Sequence, residues 1–177
     1  MRAVGFCGYS GSGKTTLLEA VIAGLHAAGQ RVGVAKHAHK HSFDIDIPGK
    51  DSWRHRQAGA AEVVVGNGRR LARIREFEPV REVDAHVLLA ELVACDWALV
   101  EGFKHGDLPK VEVWRAELGR PPQYPQDPQV RAVITDDPAA LPQAFDGPVF
   151  RLDQPQALVD HLLGSGDDYL YKHEHHG

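Results

Sequence analysis

Cysteine occurs only twice among the 177 residues, and two thiols with no repeated spacing cannot form the disulfide framework that staples small secreted domains. Cys7, inside the first apolar run, and Cys95, just ahead of a later one, therefore read as buried, reduced thiols. No apolar run approaches the ~18 residues that a membrane-spanning helix requires. The chain does not open on a basic segment followed by an apolar stretch, so no export signal is read there, and a cytoplasmic protein that works away from membranes is expected. An excess of positive charge is missing too. Lys and Arg number 20 against 24 Asp and Glu, a formal net charge of −4, which leaves no broad basic field for DNA or RNA. With 43% hydrophobic and 25% charged residues, the chain can bury a core of ordinary size. Residues 1–164 are read as one domain without internal repeats. The remainder, 165–177, lacks periodicity, ends on His173-Glu174-His175-His176, and is expected to be a flexible C-terminal tail.

What is present begins at Gly8. The run Gly8-Tyr9-Ser10-Gly11-Ser12-Gly13-Lys14-Thr15 is a complete phosphate-binding loop, preceded by the apolar Ala3–Cys7 and followed by the helix-like Leu17–Ile22. Glycines at 8, 11 and 13 let the backbone take positive φ, so that successive N–H groups converge on one anion-binding concavity. Lys14 is expected to reach the β- and γ-phosphates of a nucleotide and the Thr15 hydroxyl to ligate Mg²⁺, with the following helix N-terminus adding partial positive charge.

Leu17, Leu18, Val21, Ile22 and Leu25 recur at helical spacing up to Gly29, and Arg31–Lys36 reads as a second, buried strand, so the chain opens as a βαβ unit. Residues 50–60 suit a helix, and Glu62–Val65 and Arg69–Arg75 flank Gly66-Asn67-Gly68 as a hairpin. Val83 to Val93 suggests an amphipathic helix, Trp97–Val100 a short strand ending at Glu101-Gly102, and Val111–Trp114, Ala132–Ile134 and Val149-Phe150 further strands before a helix at 155–163, with a proline-rich loop over Arg120–Pro128. The expected fold is α/β: a mostly parallel sheet flanked by helices, of the P-loop NTPase type, with an inserted β-hairpin.

Phosphate chemistry needs an acidic group near the metal, normally at the tip of a neighbouring parallel strand. Of the two carboxylates flanking Trp97–Val100, only Glu101 lies at the carboxyl edge, where ligands of open α/β sheets bind. It is assigned as the Mg²⁺-linked or water-orienting carboxylate, whereas Asp96 reads as a boundary residue. The segment Lys36–Asp46 follows the second strand at the same edge. It is open to three readings: a transition-metal site from His37, His39 and His41 with Asp44 and Asp46, an anion-facing loop in which Lys36 and His37 meet a ligand while Asp44 or Asp46 approaches Mg²⁺, or a solvated polar loop. Lys50 and Arg54 would share a helix face and could contact a second anion. Asp136, at the end of a late strand, could accept from guanine N1–H and its exocyclic amine, or could instead cap a turn with Asp137-Pro138.

The phosphate loop, Lys36-His37, the run Phe43-Asp44-Ile45-Asp46-Ile47-Pro48-Gly49-Lys50-Asp51-Ser52, Arg54, Ala58-Gly59-Ala60 and Val100-Glu101-Gly102-Phe103-Lys104 together resemble the molybdopterin-guanine dinucleotide biosynthesis protein B (MobB) family over residues 1 to about 150. The resemblance implies a GTP-binding protein, usually a homodimer, that assists the partner enzyme attaching GMP to molybdopterin in molybdenum-cofactor maturation, with weak GTPase activity of its own. It implies that Gly11, Gly13, Lys14, Thr15 and Thr16 hold phosphates and Mg²⁺, that Glu101 serves as the acidic strand-end residue, and that Asp44, Asp46 and Lys50 belong to a loop near the nucleotide or the cofactor. No residue stands out as a water-positioning glutamine. Nor does any stand out as an unambiguous arginine finger, with Arg54 and Arg56 the only candidates, and both absences agree with slow turnover. Two other functions compete: a small-molecule kinase using the same loop, and a metallochaperone GTPase using His37, His39, His41 and the histidine-containing tail.

Overall fold

The computed structural model describes residues 1–38, 43–103 and 106–172. Two compact units emerge, one formed by residues 1–37 with 84–177 and the other by Ala38–Val83, so the single domain read over 1–164 is not one contact unit. In the first unit, β1 (Arg2–Cys7), β2 (Val32–Lys36), β5 (Trp97–Glu101), β6 (Lys110–Trp114), β7 (Val130–Thr135) and β8 (Val149–Arg151) build a six-stranded sheet in the order β2-β5-β1-β6-β7-β8. Every pairing in it is parallel, as the crossover helices demand. The crossover helices are α1 (Lys14–Ala27) and α3 (Ala85–Leu89), and α4 (Pro155–Gly164) follows the last strand.

The alternation of side chains along each strand sends successive residues to opposite faces. Val4 and Phe6 of β1 join Trp97 and Leu99 of β5 against Leu17, Leu18, Val21 and Leu25 of α1 and Leu158, Val159 and Leu162 of α4. The intervening Ala3, Ala98 and Val100, with Ala35, face Ala85 and Leu89 of α3. Burial on both faces makes β1, β5 and β6 nearly continuous apolar runs. The exceptions sit in β6: Glu112 is fully buried and accepts from the Gln123 and Tyr124 amides at 2.7 and 2.8 Å, and buried Lys110 pairs with Asp127 at 2.6 Å. Burial raises the Glu112 pKa, against the pull of those two amide donors. These contacts fasten the proline-rich loop to the sheet.

Other expectations are corrected as well. The strand beginning near Arg31 was expected to be buried, but β2 is an edge strand in which Val34 is 44% exposed. The helix expected over 83–93 shortens to Ala85–Leu89, capped by Asp84, whose side chain accepts from the Val87 amide at 2.9 Å. The stretch from 165 to 172 is not a free tail: a 3-10 turn at Gly166–Tyr169 buries Tyr169 in the core beside Trp97, and the Tyr171 amide donates to the Met1 carbonyl. An aromatic anchor one turn beyond a helix carries no periodicity, so sequence pattern does not reveal it. His173, His175 and His176 lie outside the described residues. Cys7 is buried, and burial first of all, with Glu112 next, pushes its thiol up to about 12; Cys95 is only half-buried. Among the described residues no helix is long and apolar enough to cross a membrane.

The second unit contains α2 (Asp51–Gln57) and an antiparallel hairpin of β3 (Glu62–Gly66) and β4 (Leu71–Arg75), paired from Glu62–Arg75 to Gly66–Leu71. Asn67 shapes the turn, its side chain accepting from the Arg69 and Arg70 amides at 2.9 Å each. The inserted hairpin is therefore where the sequence places it.

Tyr169→Ala is expected to cost about 3 kcal/mol in urea denaturation, the usual scale for emptying a buried aromatic site. The bidentate Arg31–Asp96 pair (2.9 and 3.1 Å) holds the Asp96 carboxyl down to about 2, chiefly through the guanidinium hydrogen bonds and the Arg31 amide. A depressed carboxylate stabilises above its unfolded value near 4 and loses that stabilisation as pH falls towards 2. Asp96→Asn is expected to flatten the acid limb of the stability–pH curve over that window and to lower the neutral-to-alkaline limb by a constant amount without changing its slope.

Candidate functional site

The parallel register brings the ends of β1, β2 and β5 level, and β6 runs two residues further. Phe6 of β1 and Lys36 of β2 both pair with Glu101 of β5, and Cys7 pairs with Glu112 of β6. The chain leaves β1 directly into the phosphate loop, whose shape depends on two glycines above all. Gly8 has φ +135°, and a Cβ there would stand 2.3 Å from the Val113 carbonyl oxygen of β6. Gly13, at φ +92°, forms the N-cap of α1 in the left-handed region, which leaves the first amides of the helix facing the loop. Buried Ser12 closes it, its amide donating to the Tyr9 carbonyl at 3.2 Å. Lys14 folds back over the concavity, with Nζ donating to the Tyr9 carbonyl at 2.7 Å.

The Thr15 hydroxyl donates to Glu101 Oε1 at 3.2 Å, and Lys36 Nζ lies 3.1 Å from Glu101 Oε2. The carboxylate chosen from sequence thus sits at the mouth of the loop, on the β5 side, between a hydroxyl and a second cation. The Glu101 carbonyl accepts from the His37 amide at 3.0 Å, and the His37 ring packs 4.9 Å from Phe103. Lys14, Thr15, Lys36, His37 and Glu101 therefore gather at one edge of the sheet. Thr16 follows on α1 and is exposed.

Asp136 follows β7 at the same edge. Its Oδ1 accepts from the Asp137 amide at 3.1 Å and from Thr135 Oγ1 at 3.3 Å, while Asp137 rather than Asp136 caps the following turn by accepting from the Ala139 amide. The capping role weighed for this pair from sequence falls to Asp137.

Asp44, Asp46, Lys50, Arg54 and Arg56 belong to the second unit. Arg56 is held by Glu76 at 2.7 Å, Asp44 at 3.0 Å and Asp46 at 3.3 Å, with only 12% of its side chain exposed. Asp46 also accepts from Ser52 at 2.8 Å. The Asp46 amide first, and Arg56 second, depress the Asp44 carboxyl. For Asp46, burial pulls upward, and Ser52, the Ile47 amide and Arg56 together prevail and lower it. Glu76 and Asp44 raise Arg56 further. A guanidinium with three carboxylate partners is a structural hub, which removes Arg56 as a ready arginine finger. Arg54 is an exposed side chain 4.0 Å from Asp51, and Lys50 is the exposed N-cap residue of α2. His39 and His41 lie outside the described residues, and among the described residues no three His, Cys, Asp or Glu side chains form a metal-binding group.

Sequence reasoning passed over the segment following β6. Arg115 places Nη2 3.6 Å from where a Cβ on Gly13 would stand, Leu118 lies against Gly11, and the Arg120 guanidinium stands 5.8 Å from the Tyr9 ring centroid. Only the adjacency of β6 to β1 reveals this, and nonlocal strand order is not written in local pattern.

Gly8→Ala is expected to weaken nucleotide binding at least a hundredfold in titration and to lower stability by about 2–3 kcal/mol, because the added methyl meets β6 backbone at a φ that side chains avoid.

The model of the family described as molybdopterin guanine dinucleotide synthesis protein B matches residues 3–136. The chain is 41% identical over 161 residues to the molybdopterin-guanine dinucleotide biosynthesis adapter protein of Escherichia coli (strain K12), covering 89% of each chain. It is 42% identical over 139 residues to the adapter protein of the same name from Haemophilus influenzae, covering 78% of this chain and 76% of the relative. Among solved structures, Bacillus subtilis MobB aligns with a TM-score of 0.70 at 25% identity, over 97% of this chain and 100% of that one. A MobB homologue from Bacillus stearothermophilus aligns with a TM-score of 0.64 at 28% identity, over 93% and 97%. With the phosphate loop, the Glu101 strand end and the parallel sheet in place, these matches establish that the chain belongs to the molybdopterin guanine dinucleotide synthesis protein B family.

Proposed function

We propose that this chain is a cytoplasmic GTP-binding adapter in molybdopterin-guanine dinucleotide synthesis, working with the enzyme that joins GMP to molybdopterin and turning over GTP only slowly by itself. The observation that carries the nucleotide part is the juxtaposition of the Thr15 hydroxyl and the Glu101 carboxylate at 3.2 Å, at the mouth of a phosphate loop closed by Lys14. Hydroxyl and carboxylate oxygens are the hard donors that Mg²⁺ takes alongside phosphate oxygens. Thr15 and Glu101 would hold the ion, which when bound neutralises charge on the β- and γ-phosphates. Lys14 binds the phosphate chain, the loop amides orient it, and Lys36 balances Glu101.

Slow turnover is supported by the engagement of Arg56 with three carboxylates. A homodimer is supported by the hairpin, which leaves Val64, Val65 and Leu71 exposed at 56, 53 and 70%, apolar area that a second copy could cover. Asp136 supports guanine selection by offering a carboxylate at the end of β7.

Calorimetric titration with GTP, ATP and molybdopterin in Mg²⁺ tests this reading. GTP is expected to bind in preference to ATP and to couple to molybdopterin, Lys14→Ala to bind neither nucleotide, and Asp136→Asn to lose roughly ten- to hundredfold of the preference for GTP. ATP preference with no response to the pterin would replace the adapter reading with that of a small-molecule kinase.

A further inference from the structure

The phosphate loop has two flanks, and the residues gathered above occupy only one of them. Lys14, Thr15, Lys36 and Glu101 lie on the side of β5. On the side of β6 the chain runs from Trp114 straight into Arg115, whose guanidinium is turned towards the loop, with Nη2 beside Gly13. Its hydrogen-bonding is incomplete: Nη1 donates to the exposed Glu117 at 2.8 Å, whereas Nε is buried and has no partner. A guanidinium is always charged and carries five donors in a planar fork suited to phosphate. Holding it half-buried against a glycine with its Nε donor unmet is unfavourable unless an anion compensates. The loop amides around Gly13 are those that cradle the α- and β-phosphates, whereas the lysine reaches outward to β and γ.

We propose that Arg115 is the second phosphate-binding cation of this site, gripping the α- and β-phosphates of the bound nucleotide from the β6 flank, with Glu117 as the partner it gives up on binding. The proposal rests on the nucleotide-binding reading. It assigns the diphosphate to Arg115 and leaves the γ-phosphate and metal to the Lys14–Glu101 flank, so its loss must weaken GDP and GTP alike.

The test is titration of the full chain with GTP, GDP and GMP in Mg²⁺. Arg115→Ala and Arg115→Gln are expected to weaken GTP and GDP by a similar factor, roughly ten- to hundredfold, and GMP much less. Arg115→Lys, which keeps the charge and loses the fork, is expected to recover part of that loss. Glu117→Gln, which frees the guanidinium and removes a negative charge, is expected to tighten both. Arg131→Ala removes a positive charge near the opposite end of the sheet and is the control, expected to leave all three affinities unchanged. GDP and GTP affinities within twofold of wild type in the Arg115 variants, or a loss matched by Arg131→Ala, would overturn the assignment. If the unaltered chain binds none of the nucleotides, it is the nucleotide-binding reading that fails. A purely structural role would lower the melting temperature of the ligand-free Arg115→Gln protein without the split between GMP and GDP.

Discussion

Parallel hydrogen bonding of β1 on both sides is the constraint on which the rest of the site depends. Because β5 and β6 run the same way as β1, all three strands bring their carboxyl ends to one edge. The residues so delivered are Gly8, Glu101 and, after Trp114, Arg115. Parallel neighbours require crossovers, and the crossover after β1 is α1, so the same connection that allows the sheet to be parallel also points a helix N-terminus at the ligand edge. The clearance is narrow. The phosphate loop turns so close to β6 that a single methyl on Gly8 would collide with its backbone.

Charge is distributed by depth. The ionisable groups in β6, Glu112 and Lys110, are buried and satisfied by loop amides and by Asp127, and they hold a loop rather than face a ligand. Those at the carboxyl edge, Lys14, Lys36, Glu101 and Arg115, line the mouth of the loop, and the contacts described for them run mainly between opposite charges or onto backbone oxygens that a phosphate or a metal ion can replace. Cys7, one residue from the loop, is kept out of this chemistry: buried among apolar groups and near Glu112, its thiol stays protonated.

The second unit follows a different logic. Arg56 gathers Asp44, Asp46 and Glu76, and Ser52 braces Asp46, so this segment is held by ionic and hydrogen-bonded contacts, and its described residues contribute none to the buried core clusters. Phe43, Ile45 and Ile47 stay more than 60% exposed within it. The aspartates that look from sequence like metal-approaching groups are therefore already engaged, because spacing along the chain does not say which arginine will fold back on them.

The phosphate loop, the βαβ opening, the hairpin and the position of Glu101, unlike Asp96, at the carboxyl edge could all be read from the residues alone. Each rests on local rules: glycine at positive φ, side-chain period along a strand, and the end of a strand at which ligands collect. The edge position of β2, the anchoring of the C-terminal segment by Tyr169, the capture of Arg56 by three carboxylates and the arrival of Arg115 at Gly13 were decided only by tertiary structure. All four depend on which distant segments become neighbours, and that is settled by the packing of the whole sheet and its helices, where no short-range pattern reaches.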